Sequence, residues 1–175
     1  PTIGLVSDWI IEGGGTVLMG ETTELIGAEH ILSRRATSRE VSDAILRVVG
    51  KLEDDFLSHG IDVHGANPSP GNMRGGLSTL EEKSLGGISK GGSHPIEQVV
   101  EYGEVPSRNG FILMDTPGYD IESVSGMAAG GAQVMLFSTG RGTPIGNPLL
   151  PVIKVTGNAR TYRRMADNID FDASG

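Results

Sequence analysis

Carboxylates and an imidazole lie close together after a short aliphatic run near the start of the chain. They are Glu21, Glu24, Glu29 and His30. Side chains of these two kinds can bind a divalent metal or exchange protons as acid and base. On a helix, Glu21 and Glu24 would share one face. The alternative is a solvated acidic helix start, favoured by the helix dipole, and the sequence leaves both interpretations open.

A second charged group follows an irregular segment at residues 67–76, which is rich in Asn, Pro and Gly. Glu81, Glu82 and Lys83 open the next helical pattern, where Ser78 and Glu81 fit a capping box. Capping therefore accounts for Glu81. Lys83 is either a solvated charge or a group that moves a proton next to a carboxylate.

Four short aliphatic runs must position these groups, and none of them alternates apolar with polar residues. Unalternated runs are typical of parallel strands covered on both faces. Helical patterns lie between them, so the sequence predicts one α/β domain over residues 1–175, Rossmann-like and three-layered, with a short, mainly parallel sheet and long functional loops. The predicted strands are 16–19, 111–114, 134–137 and 152–155.

The strongest helical pattern places seven apolar residues at helical spacing between Val41 and Phe56. A capping box at 37–40 begins this helix, and Gly60 ends it. Gly13, Gly14 and Gly15 are expected to end a helix as well. Further helices are predicted from the second capping box to about Ser89, and at 123–129 and 159–165.

Polar residues follow each predicted strand, at 20–21, 115–118, 138–141 and 156–158. Ligands of open α/β sheets bind beyond the carboxyl ends of the strands, where these residues would meet. Carboxylates, hydroxyls, backbone amides and Arg141 would then suit a small polyhydroxylated anion. The irregular segments 67–76 and 138–144 are expected to carry function, since long loops in compact domains commonly do.

One motif suggests a nucleotide instead. Residues 115–118, Asp-Thr-Pro-Gly, resemble the magnesium-binding turn of GTPases. The phosphate-binding loop of that class needs a Gly five residues before its Gly-Lys pair. The pair Gly50–Lys51 lies inside a helical pattern and is preceded at that distance by Ile45. A nucleotide-binding module therefore remains only the third alternative.

Composition excludes several classes of protein. The formal net charge is -8, which disfavours nucleic acid as a partner. There is no cysteine, so this chain has no disulfide, no thiolate-bound zinc and no thiol nucleophile. The apolar runs are too short to span a membrane, and a cytoplasmic location is expected. The chain opens at Pro1, which is expected of a piece of a longer protein.

Several long motifs together resemble a known enzyme family. Gly-Ala-Glu-His-Ile-Leu at 27–32 is followed by Asn-Pro-Ser-Pro-Gly-Asn at 67–72 and Thr-Leu-Glu-Glu-Lys-Ser-Leu-Gly at 79–86. Ser-Thr-Gly-Arg-Gly-Thr-Pro follows at 138–144. In this order they resemble the C-terminal catalytic region of altronate and galactarate dehydratases. The sulfolactate sulfo-lyase large subunits belong to the same family, and residues 145–154 resemble those as well.

The resemblance implies a hydro-lyase that removes water from C2 and C3 of a sugar acid and yields a 2-keto-3-deoxy acid. It implies a divalent metal, Fe²⁺ or Mn²⁺, and an N-terminal domain or small subunit beyond this chain. Inactivity of this piece on its own is a further expectation. Self-association is a further expectation. The family often has Asn-Lys-Ala-Gly-Gly where this chain has Asn-Met-Arg-Gly-Gly at 72–76, so the basic residue, Arg74, has moved by one position.

This chemistry assigns provisional roles to individual residues. His30 and Lys83 are the candidate base and acid in an undetermined order, with Glu82 as a further catalytic candidate. Glu21 and Glu24 are candidate ligands of the metal or of substrate hydroxyls. Arg141 would bind the carboxylate in a bidentate contact. The remaining candidate substrate contacts are Asn67, Ser69, Asn72, Arg74 and Thr139.

Two alternatives to the dehydratase rank above the nucleotide-binding module. A sulfo-lyase of the same family would expel sulfite instead of hydroxide. A non-catalytic assembly domain would need the rest of the protein before any turnover. Metal binding by this chain would distinguish an enzyme domain from a scaffold.

Overall fold

The first of two parallel sheets is built from distant parts of the chain. The computed structural model describes residues 2–63 and 67–175. Strands β1 (Thr16–Met19), β2 (Ile96–Val100) and β3 (Gly110–Met114) pair in the order β1-β3-β2. Thr16 of β1 pairs with Gly110 of β3. The pairing of β2 with β3 shifts register between Ile96 and Gln98. The α/β class predicted from the sequence is confirmed.

Helices cover both faces of this sheet because its central strand is apolar on both. Phe111 and Leu113 face one core with α2 (Glu29–Ser33) and α3 (Arg39–Ser58). Ile112 and Met114 alternate to the other face. They pack there with Met127 of α6 (Asp120–Ala129), and α1 (Thr2–Glu12) contacts β1 at the edge.

The second sheet is formed by the last part of the chain. Strands β4 (Met135–Ser138), β5 (Val152–Thr156) and β6 (Phe171–Asp172) pair in sequence order, all parallel. Helix α6 (Asp120–Ala129) joins the two sheets, since Met127 packs on the first and Val124 packs against Phe137 of the second. Helix α7 (Ala159–Arg164) connects β5 to β6.

All four predicted strands are present, to within a residue at either end, but the predicted single sheet is divided in two. Strands β2 and β6 were not predicted. Glu97 and Gln98 interrupt the apolar character of β2, and β6 has only two residues. Local pattern cannot show which strands pair, because pairing depends on contacts between residues far apart in sequence.

The predicted helix caps are correct in position to within one residue. Ser38, not Thr37, is the N-cap of α3, and its hydroxyl accepts from the amide of Val41. The helix ends at His59 and Gly60, where Gly60 has φ 70°. Helix α5 (Leu80–Ile88) likewise begins at Thr79 rather than Ser78.

One expectation about the irregular segments is wrong. Residues 67–76 contain a short helix, α4 (Pro70–Arg74), although the Pro and Gly content argued against any helix. Pro70 occupies the first turn, where a missing amide hydrogen costs nothing, and Ser69 caps it. Residues 139–144, in contrast, form an irregular loop after β4, as predicted.

Candidate active site

A large cavity lies where α4, α5 and the loops after β4 and β5 meet. Its volume is about 1190 Å³. Its lining carries six cationic side chains but, among the described residues, only two carboxylates, Glu24 and Glu82. The cations are Arg74, Lys83, Lys90, Arg141, Arg160 and Arg164. A cavity with more cationic than anionic side chains attracts anions, although the chain as a whole has a net charge of -8.

Glu24 is held between two of these lysines. The Nζ of Lys90 donates to Oε2 of Glu24 at 3.0 Å, and the Nζ of Lys83 lies 3.5 Å from Oε1. Burial raises the pKa of Glu24, but the charges of Lys90 and Lys83 outweigh burial and hold that pKa below its usual value. Glu24 is therefore an ionised anchor for two cations.

Lys83 has a second partner from the segment before α4. Its Nζ donates to Oδ1 of Asn67 at 3.0 Å, which orients the ammonium between that amide and Glu24. Helix α5 brings Lys83 to this position because Thr79 fixes the first turn. Ser84, on the same helix, donates to the carbonyl of Ile26 at 2.7 Å and binds α5 to the segment after β1.

Lys90 lies in a short 3₁₀ helix, Ser89–Gly91, which is held in place through its backbone and the loop that follows it. The Ser7 hydroxyl of α1 donates to the carbonyl of Lys90 at 2.8 Å. Asp8, also on α1, accepts from the amide of Ser93 at 2.7 Å. Helix α1 thus holds the short helix that presents the Lys90 ammonium.

Arg141 lies across the cavity on the loop after β4, against the backbone of α4. A Cβ added to Gly71 would come within 2.7 Å of the Arg141 Cζ. Two hydrogen bonds hold the loop after β4 in place. The Thr139 Oγ1 accepts from the amide of Gly142 at 2.9 Å, and the Thr161 hydroxyl donates to the carbonyl of Gly140 at 2.7 Å. The loop therefore holds Arg141 in the cavity lining, and its bidentate contact with a carboxylate stays a prediction.

The other residues predicted on α4 divide into two groups. Asn72 and Arg74 line the cavity. The Ser69 hydroxyl donates to Oδ1 of Asn72 at 2.9 Å and caps the helix, so its contacts in this structure are structural. Asn67 reaches the cavity through its bond to Lys83. Its role as a substrate contact, like that of Ser69, stays a prediction.

The structure separates two predicted catalytic residues from the centre of the cavity. His30 on α2 is exposed. It is not among the described residues that line this cavity or the adjoining cleft beside β1. Glu82 lines the cavity but is exposed, and its carboxylate accepts from the amide and the hydroxyl of Ser78. These bonds lower the pKa of Glu82. The amide of Glu82 donates to the Thr79 hydroxyl at 3.1 Å, so Glu82, not Glu81, is the residue that the N-cap binds, and its own carboxylate reaches back to Ser78 rather than to Thr79.

Glu21 lies directly after β1, in a cleft adjoining the main cavity. Its backbone is left-handed, with φ 65°, and its amide donates to the Thr116 hydroxyl at 2.6 Å. Burial, and then the charge of Glu24, raise the pKa of Glu21 to about 7. A strained, partly buried carboxyl that changes charge near neutral pH is a common feature of functional sites.

The Asp-Thr-Pro-Gly turn at 115–118 has a structural role. Oδ1 of Asp115 accepts from the Thr22 hydroxyl at 2.6 Å, and Thr116 binds the Glu21 amide. The turn fastens the short 3₁₀ helix Thr22–Glu24, which carries Glu24. These contacts engage the aspartate that the nucleotide interpretation assigned to magnesium.

Sequence reasoning missed three of the cations. Arg160 and Arg164 are four residues apart on α7, so they share a face, a signal that was present in the sequence. Lys90 gave no such signal, since its approach to Glu24 depends on how α1 packs. The charge of the cavity was therefore underestimated.

The whole sequence, residues 1–175, matches the family described as D-galactarate/Altronate dehydratase, C-terminal. The chain belongs to this family. It is 43% identical over 173 residues to the altronate dehydratase of Bacillus subtilis, covering 99% of this chain and 34% of that protein. The predicted family is confirmed.

Two other relatives of this dehydratase C-terminal family carry different names. The (2R)-sulfolactate sulfo-lyase subunit beta of Chromohalobacter salexigens is 38% identical over 177 residues, covering all of this chain and 46% of that protein. The galactarate dehydratase (L-threo-forming) of Escherichia coli is 38% identical over 173 residues, covering 99% of this chain and 33% of that protein. The chain thus spans about a third to a half of the length of these curated relatives.

The metal predicted from the family does not fit the carboxylates predicted to bind it. Both oxygens of Glu24 face lysine ammonium groups, which compete with a cation for the carboxylate. Across residues 2–63 and 67–175, no group of three or more His, Asp or Glu is placed to hold a metal ion. Glu21 and Glu24 alone do not make a centre.

Within the described ranges, none of the helices is both long enough and apolar enough to cross a membrane.

Proposed function

We propose that this domain binds the anionic substrate of a sugar-acid dehydratase and supplies the cations that stabilise its transition state. The observation that carries the proposal is the cavity lined by six cationic side chains, opened on a chain of net charge -8. A sugar acid carries one or two carboxylates and several hydroxyls. The lining offers guanidinium and ammonium groups for the former and amides such as Asn72 and Asn158 for the latter.

The reaction removes a proton from C2 and a hydroxyl from C3 of the substrate. The C2 carbon lies next to the carboxylate, so negative charge spreads onto the carboxylate oxygens as the proton leaves. The C3 hydroxyl departs as water after gaining a proton, and the enol becomes the 2-keto-3-deoxy acid. Cations fixed before the reaction stabilise the developing charge at little reorganisation cost.

Arg141 is the proposed carboxylate ligand and Lys83 the proposed acid. Lys83 lies 3.5 Å from the ionised Glu24, and the two opposite charges stabilise each other. Asn67 also holds the Lys83 ammonium, and Lys83 lines the cavity, which supports the proposal that it assists the leaving hydroxyl. The proposal leaves the base among groups of the full-length protein, since His30 is not one of the described residues that line the cavity.

A C–S lyase is the second candidate, favoured by the relative named (2R)-sulfolactate sulfo-lyase subunit beta. Its substrate would carry a carboxylate and a sulfonate, and a cavity with cations on α4, α5, α7 and the loop after β4 can bind both. The same proton leaves from the carbon next to the carboxylate, and sulfite leaves instead of water.

The deciding experiment assays the full-length protein against altronate, galactarate and 3-sulfolactate, and follows 2-keto acid and sulfite. A 2-keto-3-deoxy product supports the dehydratase, whereas sulfite release transfers the proposal to the C–S lyase. Absence of both products from a folded protein, supplied with Fe²⁺ or Mn²⁺, contradicts both candidates.

Replacement of Arg141 tests the site itself. Arg141→Ala is expected to lower kcat/KM by about 10- to 100-fold, because a charged hydrogen-bonded contact contributes about 1.5–3 kcal/mol. The matched control is Arg39→Ala, which removes an exposed arginine whose Nε lies 3.7 Å from Asp43 on α3, away from the cavity. If Arg141→Ala and Arg39→Ala have equal activities, Arg141 is not a ligand of the substrate. The same conclusion follows if Arg141→Ala loses as much stability as activity.

Several expectations about the whole protein belong to the same proposal. They are a requirement for Fe²⁺ or Mn²⁺, a further domain or small subunit, self-association, a cytoplasmic location and no binding of nucleic acid. No step proposed above passes through a metal. Loss of activity with a chelator, restored by one of the two ions, would establish the requirement and locate further ligands outside the described residues.

A further inference from the structure

The two sheets leave an elongated cleft between their facing edges. All residues of β1, Thr16–Met19, and all residues of β4, Met135–Ser138, line it. Among the described residues, β1 pairs only with β3 and β4 pairs only with β5. Each strand therefore presents one unpaired edge to the same space.

The two edges run in the same direction. Glu21, directly after the carboxyl end of β1, and Ser138, at that end of β4, line one end of the cleft. Glu24, Lys90 and Ser138 also line the main cavity, which places both carboxyl ends beside it. Every strand pair in the described chain is parallel. A strand inserted here in the same direction would continue both sheets as one.

The volume of the cleft is close to that of one missing strand. Its volume is about 670 Å³. Four residues of a strand, rising about 3.3 Å each, with about 4.8 Å between strands and about 10 Å of layer thickness, occupy about 600 Å³.

Helices already close both faces of the cleft. Ile3, Ser7 and Ile10 of α1 line it, and so do Ser123 and Met127 of α6. These helices cover opposite faces of the first sheet, because α1 packs through Ile11 with the core of Phe111 and Leu113, and α6 packs with Ile112 and Met114. An inserted strand would be buried on both faces, as in a three-layer domain.

The strands bordering the cleft are less buried than their sequences predict. Val17, Leu18 and Met19 of β1 are all only half-buried, and so are Met135 and Leu136 of β4, whereas the central β3 is buried over Phe111–Met114. Val134, just before β4, is 50% exposed. Apolar strands left half-covered at a sheet edge favour pairing with another segment.

None of the strands of a second copy of the described chain can supply the insert. The missing strand must be free on both edges, and each of the six strands described here is already paired on at least one. The matched region makes up only 34% of the Bacillus subtilis relative, so about two-thirds of such a chain lies outside it.

We propose that the cleft between β1 and β4 receives a short parallel strand from the part of the full-length polypeptide that lies outside these 175 residues. The insert is an aliphatic run of four or five residues, apolar on both faces, and it joins the two sheets into one seven-stranded parallel sheet. This insertion is independent of the proposed reaction.

Hydrogen exchange of the full-length protein tests the insertion. Peptides containing residues 16–19 and 134–138 are expected to exchange as slowly as the central β3, because backbone amides of both strands would gain partners. Val134→Lys, which places a charge in the filled cleft, is expected to accelerate exchange of both peptides at least tenfold. Leu57→Lys is the matched control, since Leu57 is 67% exposed on α3 and lies outside both clefts.

Rapid exchange of either peptide in the unsubstituted protein overturns the insertion, and so does equal behaviour of the two lysine variants.

Cross-linking identifies the occupant without a charged substitution. A photoreactive group attached to Val134→Cys in a mixture of isotopically heavy and light full-length protein should label a segment outside the 175 residues of its own chain. Labelling of another copy, of residues within the 175, or of solvent only contradicts the proposal.

Discussion

At the scale of single residues, the Glu24 carboxylate organises the cavity. Its two oxygens hold Lys83 and Lys90 from different elements, and Lys83 in turn binds Asn67. The residue types could be chosen from the sequence because carboxylates and amines can act as ligands, acids or bases wherever they occur. Their partners could not, since the pairing of Glu24 with Lys90 depends on the packing of α1.

The contact between Gly71 and Arg141 predicts a loss of affinity from one added methyl group. Gly71→Ala improves helix propensity by up to about 1 kcal/mol, yet its Cβ would lie 2.7 Å from the Arg141 Cζ and displace the guanidinium. We expect KM to rise about tenfold with unchanged or higher stability, as measured by steady-state kinetics and urea unfolding of the full-length protein.

Gly50→Ala provides the control for Gly71→Ala, because a Cβ at Gly50 meets no atom within 4 Å on α3. That variant should gain stability and keep its KM. A normal KM for Gly71→Ala would show that Arg141 tolerates displacement and does not set substrate affinity.

Glu21 predicts a dependence of stability on pH. Its pKa rises from 4.5 in the unfolded chain to about 7 in the fold, so the folded state holds this proton more tightly. The resulting stabilisation is complete below about pH 4.5 and is lost as the pH rises through about 7. Glu21→Gln stays neutral, and it should therefore be more stable than the parent at about pH 8 but not at about pH 4.5.

Urea unfolding of the full-length protein at both pH values measures this difference. The exposed Glu122→Gln serves as the control and should show no growing difference. If the two variants respond alike to pH, the burial of Glu21 does not hold its proton in solution.

At the scale of elements, two adjacent glycines of α5 make a matched pair. A Cβ at Gly87 would lie 2.8 Å from the carbonyl oxygen of Glu24, whereas a Cβ at Gly86 meets nothing within 4 Å. Gly87→Ala should therefore destabilise the protein by about 1–3 kcal/mol through overpacking, and Gly86→Ala should stabilise it by up to about 1 kcal/mol. Urea unfolding distinguishes the two, and similar midpoints would show that α5 shifts freely against Glu24.

The same scale shows what sequence patterns can and cannot predict about this fold. Aliphatic runs identified β1, β3, β4 and β5, and apolar periodicity identified α3, because both signals are local. The caps of α3 and α5 were each placed one residue early, since several hydroxyl and acidic residues stand side by side. The short helix α4 was missed because Pro and Gly suppress the usual helical pattern even where Pro70 fits the first turn.

At the scale of the whole molecule, a cationic cavity in an acidic protein predicts a strong effect of salt on catalysis. Attraction between the six lining cations and an anionic substrate is screened as ionic strength rises. We expect kcat/KM to fall severalfold between about 0.05 and 0.5 M NaCl, where the screening length shortens from over 10 Å to below 5 Å. Arg141→Ala should flatten this dependence, and a kcat/KM unaffected by salt would contradict electrostatic recruitment of substrate.

The pairing pattern has a consequence for the order in which the chain folds. Paired residues of β4 and β5 are close in sequence, as Met135 pairs with Val152. Paired residues of β1 and β3 are far apart, since Thr16 pairs with Gly110. Closing a longer loop costs more chain entropy and slows formation. During synthesis β1 therefore emerges early with two bare edges, and this apolar segment is where a nascent chain most needs protection from aggregation.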